Sequence, residues 1–584
     1  MWIQDPDPLG IPWLSALVAA IPILLFLVCL VVFKLTGLQA AGVALVAEVA
    51  VALGMSGMPI PALAGAGLLG LLSAIWPIAY IILMAVWLYR LAVASGKFDV
   101  IQASIAAISP DQRIQVLLIA FCFGAFLEGV AGFGVPIAIC AAMLVTLGFR
   151  PVRAAMISLV ANFAAGAYGA VGIPVIVGAQ VGGVDVMDLS RDLALILQPV
   201  TLLIPFLLVM ILDGFRGLRE TWPATLVVTL VFSGTQAAVL LLLGPELAAI
   251  LPGLLGMVAL AVLRLVWSPR HVFVEGEARA AGSRGGGARD GSGTPGRGGA
   301  ARDADRVGGS AATATLTAPA VAAAPPAVPA PVRHTAREVL AAWSPFYVLT
   351  VLVFVWSTPA FKALSAPGGP LAWAVVTVPM PGVTGQITTA GGAVVANAWS
   401  WTPIGATGTA ILLTVAITAL TSRALTRSVV LEQLRGTWRD LWKALVLIAA
   451  ILVLAQIANL SGGSAGIGGA LAGAGAWFPL LAPLIGWVGV FLTGSVVNNN
   501  TLFAQLQATT AGRIGVDATL LVAANTAGGA AAKVISPQSI AIAAGAVGLT
   551  GRESEILRAS IGYSLGILVV LSLWTLGLSQ LLTG

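Results

Sequence analysis

The chain has 584 residues, of which 59% are hydrophobic and only 9% are charged, and its formal net charge is +6. A soluble domain carries about 25% charged residues, so this composition excludes a mainly soluble protein. Spanning segments in lipid are helices or closed barrels, because unpaired backbone groups are costly there. The apolar runs are roughly 20 residues long and do not alternate, which predicts an all-α polytopic membrane protein. Basic loops on the cytoplasmic face account for the net charge, so no nucleic-acid partner is expected.

A first repeat is predicted over residues 1–215. It opens with three apolar runs of spanning length, at 12–34, 38–57 and 63–89. Basic residues follow the first and the third run, so the positive-inside bias places the N-terminus outside. The apolar stretch 113–150 has arginines at both ends and a Gly-rich middle, which favours a re-entrant hairpin open to the cytoplasm. Its length also allows two full crossings. A broken span over 152–181 and a span over 193–212 complete this repeat.

Two linking transmembrane helices are predicted within 216–268. The composition then changes abruptly, and residues 269–336 are mainly Gly, Ala, Pro and Arg. Such a segment buries too little apolar surface to offset its ordering entropy, so it is expected to be a disordered linker. The arginines on both sides of it place this linker in the cytoplasm.

A second repeat is predicted over residues 337–584, with spans near 339–357, 402–421 and 443–460. A second hairpin follows over 478–511, with its tip expected at 495–500. A broken helix over 516–549 and a last helix over 556–583 bring the total to about 12 transmembrane helices plus two re-entrant hairpins. The two repeats enter the membrane with opposite orientations, and both termini are predicted outside.

A repeated pattern supports the pairing of the two halves. The segment FLEG at 126–129 matches FLTG at 491–494, and Asn162 matches Asn525. Each of these asparagines is followed twelve residues later by a proline, Pro174 or Pro537. Interrupted hydrophobic segments at matching places in two halves indicate the binding site of a secondary transporter.

Ionisable residues at membrane depth are functional candidates. Glu128 lies at the turn of the first hairpin and is the candidate proton site; the alternative is a capping acid bound by backbone N–H groups. Lys533 lies in the second break and could neutralise an anionic substrate; the alternative is a structural ion pair with Glu128 or another carboxylate. Glu48 could also pair across helices or carry a proton. Lys443 opens a span among basic residues and is expected to reach the interface.

Neutral polar residues cluster at the two breaks and the second tip. Backbone N–H groups at the start of a broken helix favour a carboxylate, and amide or hydroxyl side chains can bind its oxygens or a neighbouring hydroxyl. With Lys533, the predicted substrate-binding residues are Asn162, Asn525, Thr526, Ser536, Gln538, Thr493, Ser495, Asn498, Asn499 and Asn500. No cofactor or metal is expected, and Cys29, Cys122 and Cys140 are expected to serve packing.

Four motifs carry a resemblance to a known family: FCFGAFLEGVAGFG at 121–134, SPDQR at 109–113, DGFRG at 213–217 and ISPQSIA at 535–541. They resemble the bacterial L-lactate permease family over nearly the whole chain apart from the linker. The resemblance implies proton-coupled uptake of L-lactate, and often of D-lactate or glycolate, across the bacterial inner membrane. It also implies kinship with the ion-transporter superfamily, whose members pair hairpins with broken helices. A homodimer is an open alternative.

Three functions are weighed. The leading one is a proton-coupled symporter of 2-hydroxymonocarboxylates, in which Glu128 takes the proton and Lys533 with the break amides takes the carboxylate. The second is a sodium-coupled carrier of another organic anion. A membrane enzyme is a remote third, because the chain has no metalloprotease His pair, nucleophile elbow or P-loop lysine.

Overall fold

The computed structural model describes residues 1–275, 334–389 and 391–583. Within these ranges, ten helices are long and apolar enough to cross a membrane. The number is eleven if the bent pair Ala336–Ala342 and Ser344–Ser357 counts as one further span. The all-α polytopic membrane fold is therefore confirmed. The count of about 12 spans, the re-entrant course of the hairpins, the division into repeats and the inverted topology stay predictions. Most of the predicted linker 269–336 lies outside the described residues.

The helices of the first half overlap the predicted apolar runs, but the run 63–89 contains a non-helical kink at Trp76 that was not predicted from the sequence. In chain order they are α1 Pro12–Val31, α2 Gly37–Gly54, α3 Ile60–Ser73, α4 Tyr80–Ala94, α5 Lys97–Ala106, α6 Gln112–Gln115, α7 Gly124–Val130, α8 Val135–Thr146, α9 Pro151–Ala161, α10 Phe163–Gly166, α11 Ile173–Gly182, α12 Val186–Leu242 and α13 Ile250–Val266. π-Helical stretches at Ala74–Ala79 and Val116–Phe123 join α3 to α4 and α6 to α7, and a 3-10 turn at Ala170–Gly172 precedes α11.

The second half is also mainly helical, with a small β-element between its first spans. Its helices are α14 Ala336–Ala342, α15 Ser344–Ser357, α16 Pro359–Leu364, α17 Thr407–Thr421, α18 Arg427–Leu460, α19 Gly463–Leu471, α20 Phe478–Thr493, α21 Val496–Ile514, α22 Ala518–Lys533, α23 Pro537–Ala546 and α24 Glu553–Thr583, with 3-10 turns at Ala372–Ala374 and Ala472–Trp477. The strands are β1 Trp2–Ile3, β2 Val376–Pro379, β3 Ile387–Thr388 and β4 Ala398–Trp401. β1 pairs with β3 in parallel and β2 pairs with β4 antiparallel.

The first predicted hairpin forms the centre of the molecule. The helical segment Gln112–Val130 is completely buried inside the protein. It ends at a turn where Gly132 and Gly134 take φ values of 59° and 83°. Glycine reaches this left-handed region without a Cβ clash, so the Gly-rich motif allows the chain to reverse into α8. The predicted position of this turn agrees with the structure.

α12 consists of two helical segments that meet at a kink at Gly214, where φ is 63° and ψ is −157°. This kink separates the predicted span 193–212 from the linking helices predicted within 216–268. Residues 461–475, between the predicted span 443–460 and the second hairpin, contain α19.

One local prediction needs correction. The tip of the second hairpin lies at Gly494 and Ser495, and 496–500 already belong to α21. The reason is local: Gly494 takes a φ of 70°, and the Ser495 hydroxyl caps α21 by accepting a hydrogen bond from the backbone N–H of Asn498 at 3.3 Å.

Glycines bring the second hairpin into direct backbone contact with the second broken helix. A Cβ added to Gly486 in α20 would collide with the backbone oxygen of Asn525, and one added to Gly528 in α22 would collide with the backbone oxygen of Pro483. Small residues allow such close approach between membrane helices. This contact places the second turn beside the second break.

Candidate functional site

One cavity lies where the two turns and the two breaks meet. Its volume is about 70 Å³, several times the roughly 10–15 Å³ that a single water molecule needs. It is lined by Glu128, Phe133, Gly134, Gly166, Gly169, Ala170, Ile173, Pro174, Gly494, Ser495, Val496, Val497, Lys533, Gln538, Ser539 and Ile542. Residues far apart in the sequence therefore share one small space.

Four helices begin at this cavity. They are α8 after Gly134, α11 after Gly172, α21 after Ser495 and α23 after Ser536. The residue that precedes α8 and the first residues of α11, α21 and α23 line the cavity. A helix N-terminus carries unpaired N–H groups and a partial positive charge, so all four ends favour an anion in this space.

A buried ion pair joins the first hairpin to the second break. The ammonium group of Lys533 binds Oε1 of Glu128, and Nδ2 of Asn162 donates a hydrogen bond to Oε2 of Glu128 at 2.9 Å. The side chain of Glu128 is 1% exposed and that of Lys533 is 12% exposed. In the described residues both hydrogen bonds to the Glu128 carboxylate come from side chains and none from a backbone N–H, in contrast to the capping-acid alternative. The ion-pair alternative for Lys533 is the arrangement that the structure contains.

Asn162 leaves one polar atom unused beside this pair. Its Oδ1 is buried and has no hydrogen-bond partner among the described residues. A Cβ added to Gly166, which lines the cavity, would lie 3.6 Å from this oxygen and 3.4 Å from Cδ of Lys533. An unpaired buried acceptor is costly, so this oxygen favours a ligand that brings a hydroxyl or N–H donor.

A second polar cluster connects both breaks through Asn500. Its Nδ2 donates to the backbone oxygen of Pro174 at 2.8 Å, and its Oδ1 accepts from Nδ2 of Asn525 at 3.0 Å and from the hydroxyl of Thr526 at 3.1 Å. All four residues are buried. Asn499 donates to Oδ1 of Asn500 at 3.3 Å and belongs to the same cluster. These amides hold the broken helices against each other and do not line the cavity.

Replacement of Asn500 tests this cluster. We expect Asn500→Ala to lower the stability of the folded protein by about 3 kcal/mol, because four buried partners lose a hydrogen bond at once. Thermal unfolding of the purified protein in detergent measures the loss. The matched control is Asn498→Ala in the same turn, since Oδ1 of Asn498 has no partner in the described residues. Equal destabilisation by the two variants would contradict the bridging role of Asn500.

The predicted binding residues fall into three groups. Glu128, Lys533, Ser495 and Gln538 line the cavity, and Asn162 contacts the ion pair. Asn499, Asn500, Asn525 and Thr526 form the cluster behind it. The remaining three, Thr493, Ser536 and Asn498, are not brought to the cavity. The hydroxyl of Thr493 donates to its own helix at Gly489, and the hydroxyl of Ser536 donates to Ser539 at 2.9 Å.

Three residues that line the cavity, the apolar Phe133 and Ile542 and the polar Ser539, were not predicted from the sequence. Phe133 and Ile542 line the cavity beside the ion pair. Phe133 lies within the Gly-rich motif, and Ser539 within the ISPQSIA motif, so both stood in segments already singled out. A repeat pattern identifies the segment but not which of its side chains faces inward.

A charged cluster around Arg113, at the base of the first hairpin, was also not predicted from the sequence. Arg113 is 1% exposed and binds three carboxylates, on Asp111 at 2.8 Å and on Asp213 and Glu220 at 2.9 Å each. It also donates to the backbone oxygen of His271 at 2.8 Å. Two of the motifs noted above, SPDQR and DGFRG, therefore meet here. We interpret this cluster as the anchor of the hairpin base to the bend of α12.

Comparison with known proteins identifies relatives of this chain along nearly its whole length. A family model described as L-lactate permease matches residues 15–582. L-lactate permease of Halalkalibacterium halodurans is 43% identical over 100% of both chains, and that of Escherichia coli is 40% identical over 97% of this chain and 96% of its own. The glycolate permease GlcA of Escherichia coli is 39% identical over 100% of this chain and 99% of its own. A solved structure, the YdaH transporter of Alcanivorax borkumensis, aligns over 87% of this chain and 86% of its own with 14% identity and a TM-score of 0.41, a likeness too low to assign function. The family model and these full-length relatives show that the chain belongs to the L-lactate permease family.

Proposed function

We propose that this protein is a secondary active transporter that imports L-lactate, and also D-lactate or glycolate, by proton symport. Relatives named as L-lactate permease and as glycolate permease support this range of substrates. The observation that carries the proposal is the buried pair of Lys533 and Glu128 at a small cavity where four helices begin. The protein acts in the bacterial inner membrane, with both termini outside and the linker 269–336 in the cytoplasm. Residues 1–215 and 337–584 form the two inverted repeats, joined through 216–268.

The substrate carboxylate binds at the ammonium group of Lys533. The N–H groups at the starts of α21 and α23 add to the positive potential there. Ser495 and Gln538 line the same space and offer further hydrogen bonds. The cavity of about 70 Å³ has room for a small monocarboxylate.

The substrate hydroxyl donates to Oδ1 of Asn162. This oxygen is otherwise unpaired and lies beside Lys533. A site that hydrogen-bonds a hydroxyl discriminates against analogues that lack it, because the buried acceptor is then left unpaired. A 2-hydroxy acid therefore binds better than a 2-keto acid of the same size.

Proton coupling follows from competition for one ammonium group. While Glu128 is ionised, its carboxylate holds the ammonium group of Lys533 in an ion pair. When Glu128 takes a proton, the ammonium group becomes available to the substrate carboxylate. One proton and one anion then load together, and the loaded cavity carries the same net charge as the empty one. Coupling requires that proton and substrate favour the same state of the carrier, and a shared lysine supplies this condition.

Uptake by purified protein in proteoliposomes tests the proposal. We expect an inward proton gradient to drive accumulation of radiolabelled L-lactate, with competition by glycolate, weaker competition by pyruvate and none by succinate. A sodium gradient without a pH difference is expected to drive no accumulation of L-lactate. Accumulation driven by sodium alone would instead indicate the sodium-coupled carrier, and chemical conversion of lactate by the protein would indicate an enzyme.

A further inference from the structure

A second cavity lies at the bend of α12, away from the ion pair of Lys533 and Glu128. Its volume is about 540 Å³. One wall is the part of α12 that follows Gly214, and the other is the segment that leaves the end of α13. The lining residues are Arg216, Arg219, Glu220, Trp222, Pro223, Trp267, Ser268, Arg270 and His271.

The charges around this cavity are unbalanced. Glu220 is its one lining carboxylate among the described residues, and that group is already engaged. Its Oε2 accepts from Arg113 at 2.9 Å and its Oε1 accepts from Arg216 at 3.2 Å. Arg219 and Arg270 have no carboxylate within ion-pair distance in the part of the chain that the structure describes. Among the described residues, two guanidinium groups therefore face the cavity without a counter-charge.

The surface beside the cavity is apolar and exposed. Phe215 is 79% exposed, Trp222 57%, and Leu265 and Val266 are each 84% exposed. Exposed apolar side chains and tryptophans next to arginines are typical of the boundary between lipid tails and headgroups. A lipid can therefore reach this cavity from the side, with its acyl chains on the apolar residues.

We propose that this cavity binds the phosphate of an anionic phospholipid headgroup through Arg219 and Arg270. Guanidinium groups bind phosphate oxygens in a bidentate manner, and basic pockets between membrane helices on the cytoplasmic side suit acidic headgroups. Free phosphate has the same headgroup chemistry, but it would leave the adjoining apolar surface without a partner. The exposed Phe215, Leu265 and Val266 therefore favour a lipid as the occupant.

Native mass spectrometry of the full chain in detergent tests this proposal. The purified protein is titrated with phosphatidylglycerol, phosphatidylcholine or inorganic phosphate. We expect tight binding of phosphatidylglycerol to the wild type and a loss of about tenfold or more in Arg219→Gln/Arg270→Gln, since each cation contributes substantially near an anionic headgroup. The double variant Arg219→Lys/Arg270→Lys keeps both charges but loses the bidentate geometry, so it is expected to bind less tightly than the wild type and more tightly than the Gln double variant.

The matched control removes Arg423 and Arg435, two exposed arginines of the basic segment that precedes the predicted span 443–460. The positive-inside bias places this segment on the cytoplasmic side, as it does the linker 269–336. Arg423→Gln/Arg435→Gln has the same change in net charge but leaves the cavity intact, so it is expected to bind phosphatidylglycerol as the wild type does. If the Gln double variant does not fold, the two single variants are compared, each with an expected loss of about fivefold. Unchanged binding in the Gln variants would overturn the proposal, as would equal loss in the control or equal binding of phosphatidylcholine. Competition by inorganic phosphate at concentrations equal to those of the lipid would assign the cavity to a free anion and overturn the lipid.

Discussion

Glu128→Gln is expected to abolish proton-driven accumulation of L-lactate while exchange of labelled for unlabelled lactate across the membrane continues at a reduced rate. Glutamine keeps the size of the side chain and can still accept the hydrogen bond from Asn162, but it does not carry the titrating charge that competes for Lys533. Proteoliposomes loaded with unlabelled lactate measure exchange, and empty ones under an imposed pH gradient measure accumulation. Loss of accumulation with retained exchange separates the coupling step from substrate binding.

The matched control for this prediction is Glu48→Gln. Glu48 in α2 is 2% exposed, so it is also a buried carboxyl group in a membrane helix. Unlike Glu128, it has no ion pair and no side-chain hydrogen bond in the described residues. We expect Glu48→Gln to accumulate lactate as the wild type does. Concentrative uptake that survives in Glu128→Gln, or is lost only in Glu48→Gln, would refute the assignment of the proton site.

Lys533→Met is expected to lower the ratio of the maximal uptake rate to the KM for lactate by about 100-fold, because it removes the charged partner of the substrate carboxylate. It is also expected to lower the free energy of unfolding by about 3–5 kcal/mol, since Glu128 is then left buried without its counter-ion. Initial uptake rates over a range of lactate concentrations measure the first effect, and thermal unfolding in detergent measures the second. Lys443→Met is the control, because Lys443 is exposed within α18 and binds no acid in the described residues.

The double variant Glu128→Gln/Lys533→Met distinguishes a transport role from a structural ion pair. Removing both charges leaves no buried carboxylate without a counter-ion, so we expect the free energy of unfolding to return to within about 1 kcal/mol of the wild type. Uptake is expected to stay as low as in Lys533→Met, because the substrate still lacks its cation. A double variant that regains both stability and concentrative uptake would show that the pair serves only to hold the two halves together.

The candidate site was partly predictable from the sequence. Glu128 and Lys533 stood out because charges are rare in apolar, Gly-rich segments, and the matching Asn162 and Asn525 indicated that the two segments are related. The contact between Glu128 and Lys533, which lie 405 residues apart, was one of several alternatives. No local pattern specifies which carboxylate a lysine will meet across such a separation.

Polar residues near the breaks were harder to assign. Thr493, Ser536 and Asn500 look alike in the sequence, as polar residues among apolar ones. In the structure the hydroxyl of Thr493 bonds to its own helix, that of Ser536 bonds to Ser539, and Asn500 bridges both breaks. Hydroxyl groups near helix ends commonly satisfy local backbone or side-chain partners, so their position alone does not make them ligands.

The sequence by itself determined that the chain is a bundle of membrane helices and where those helices are interrupted. Long apolar runs must form helices in lipid, and Gly134, Pro174, Gly494 and Pro537 mark the places where the backbone turns or restarts. Only the tertiary structure decided that the four restarted helices meet at one cavity, and that Arg113 binds three carboxylates instead of facing the cytoplasm alone. The physical reason is that turns follow from the conformational freedom of single residues, whereas charge pairing depends on which distant helices pack together.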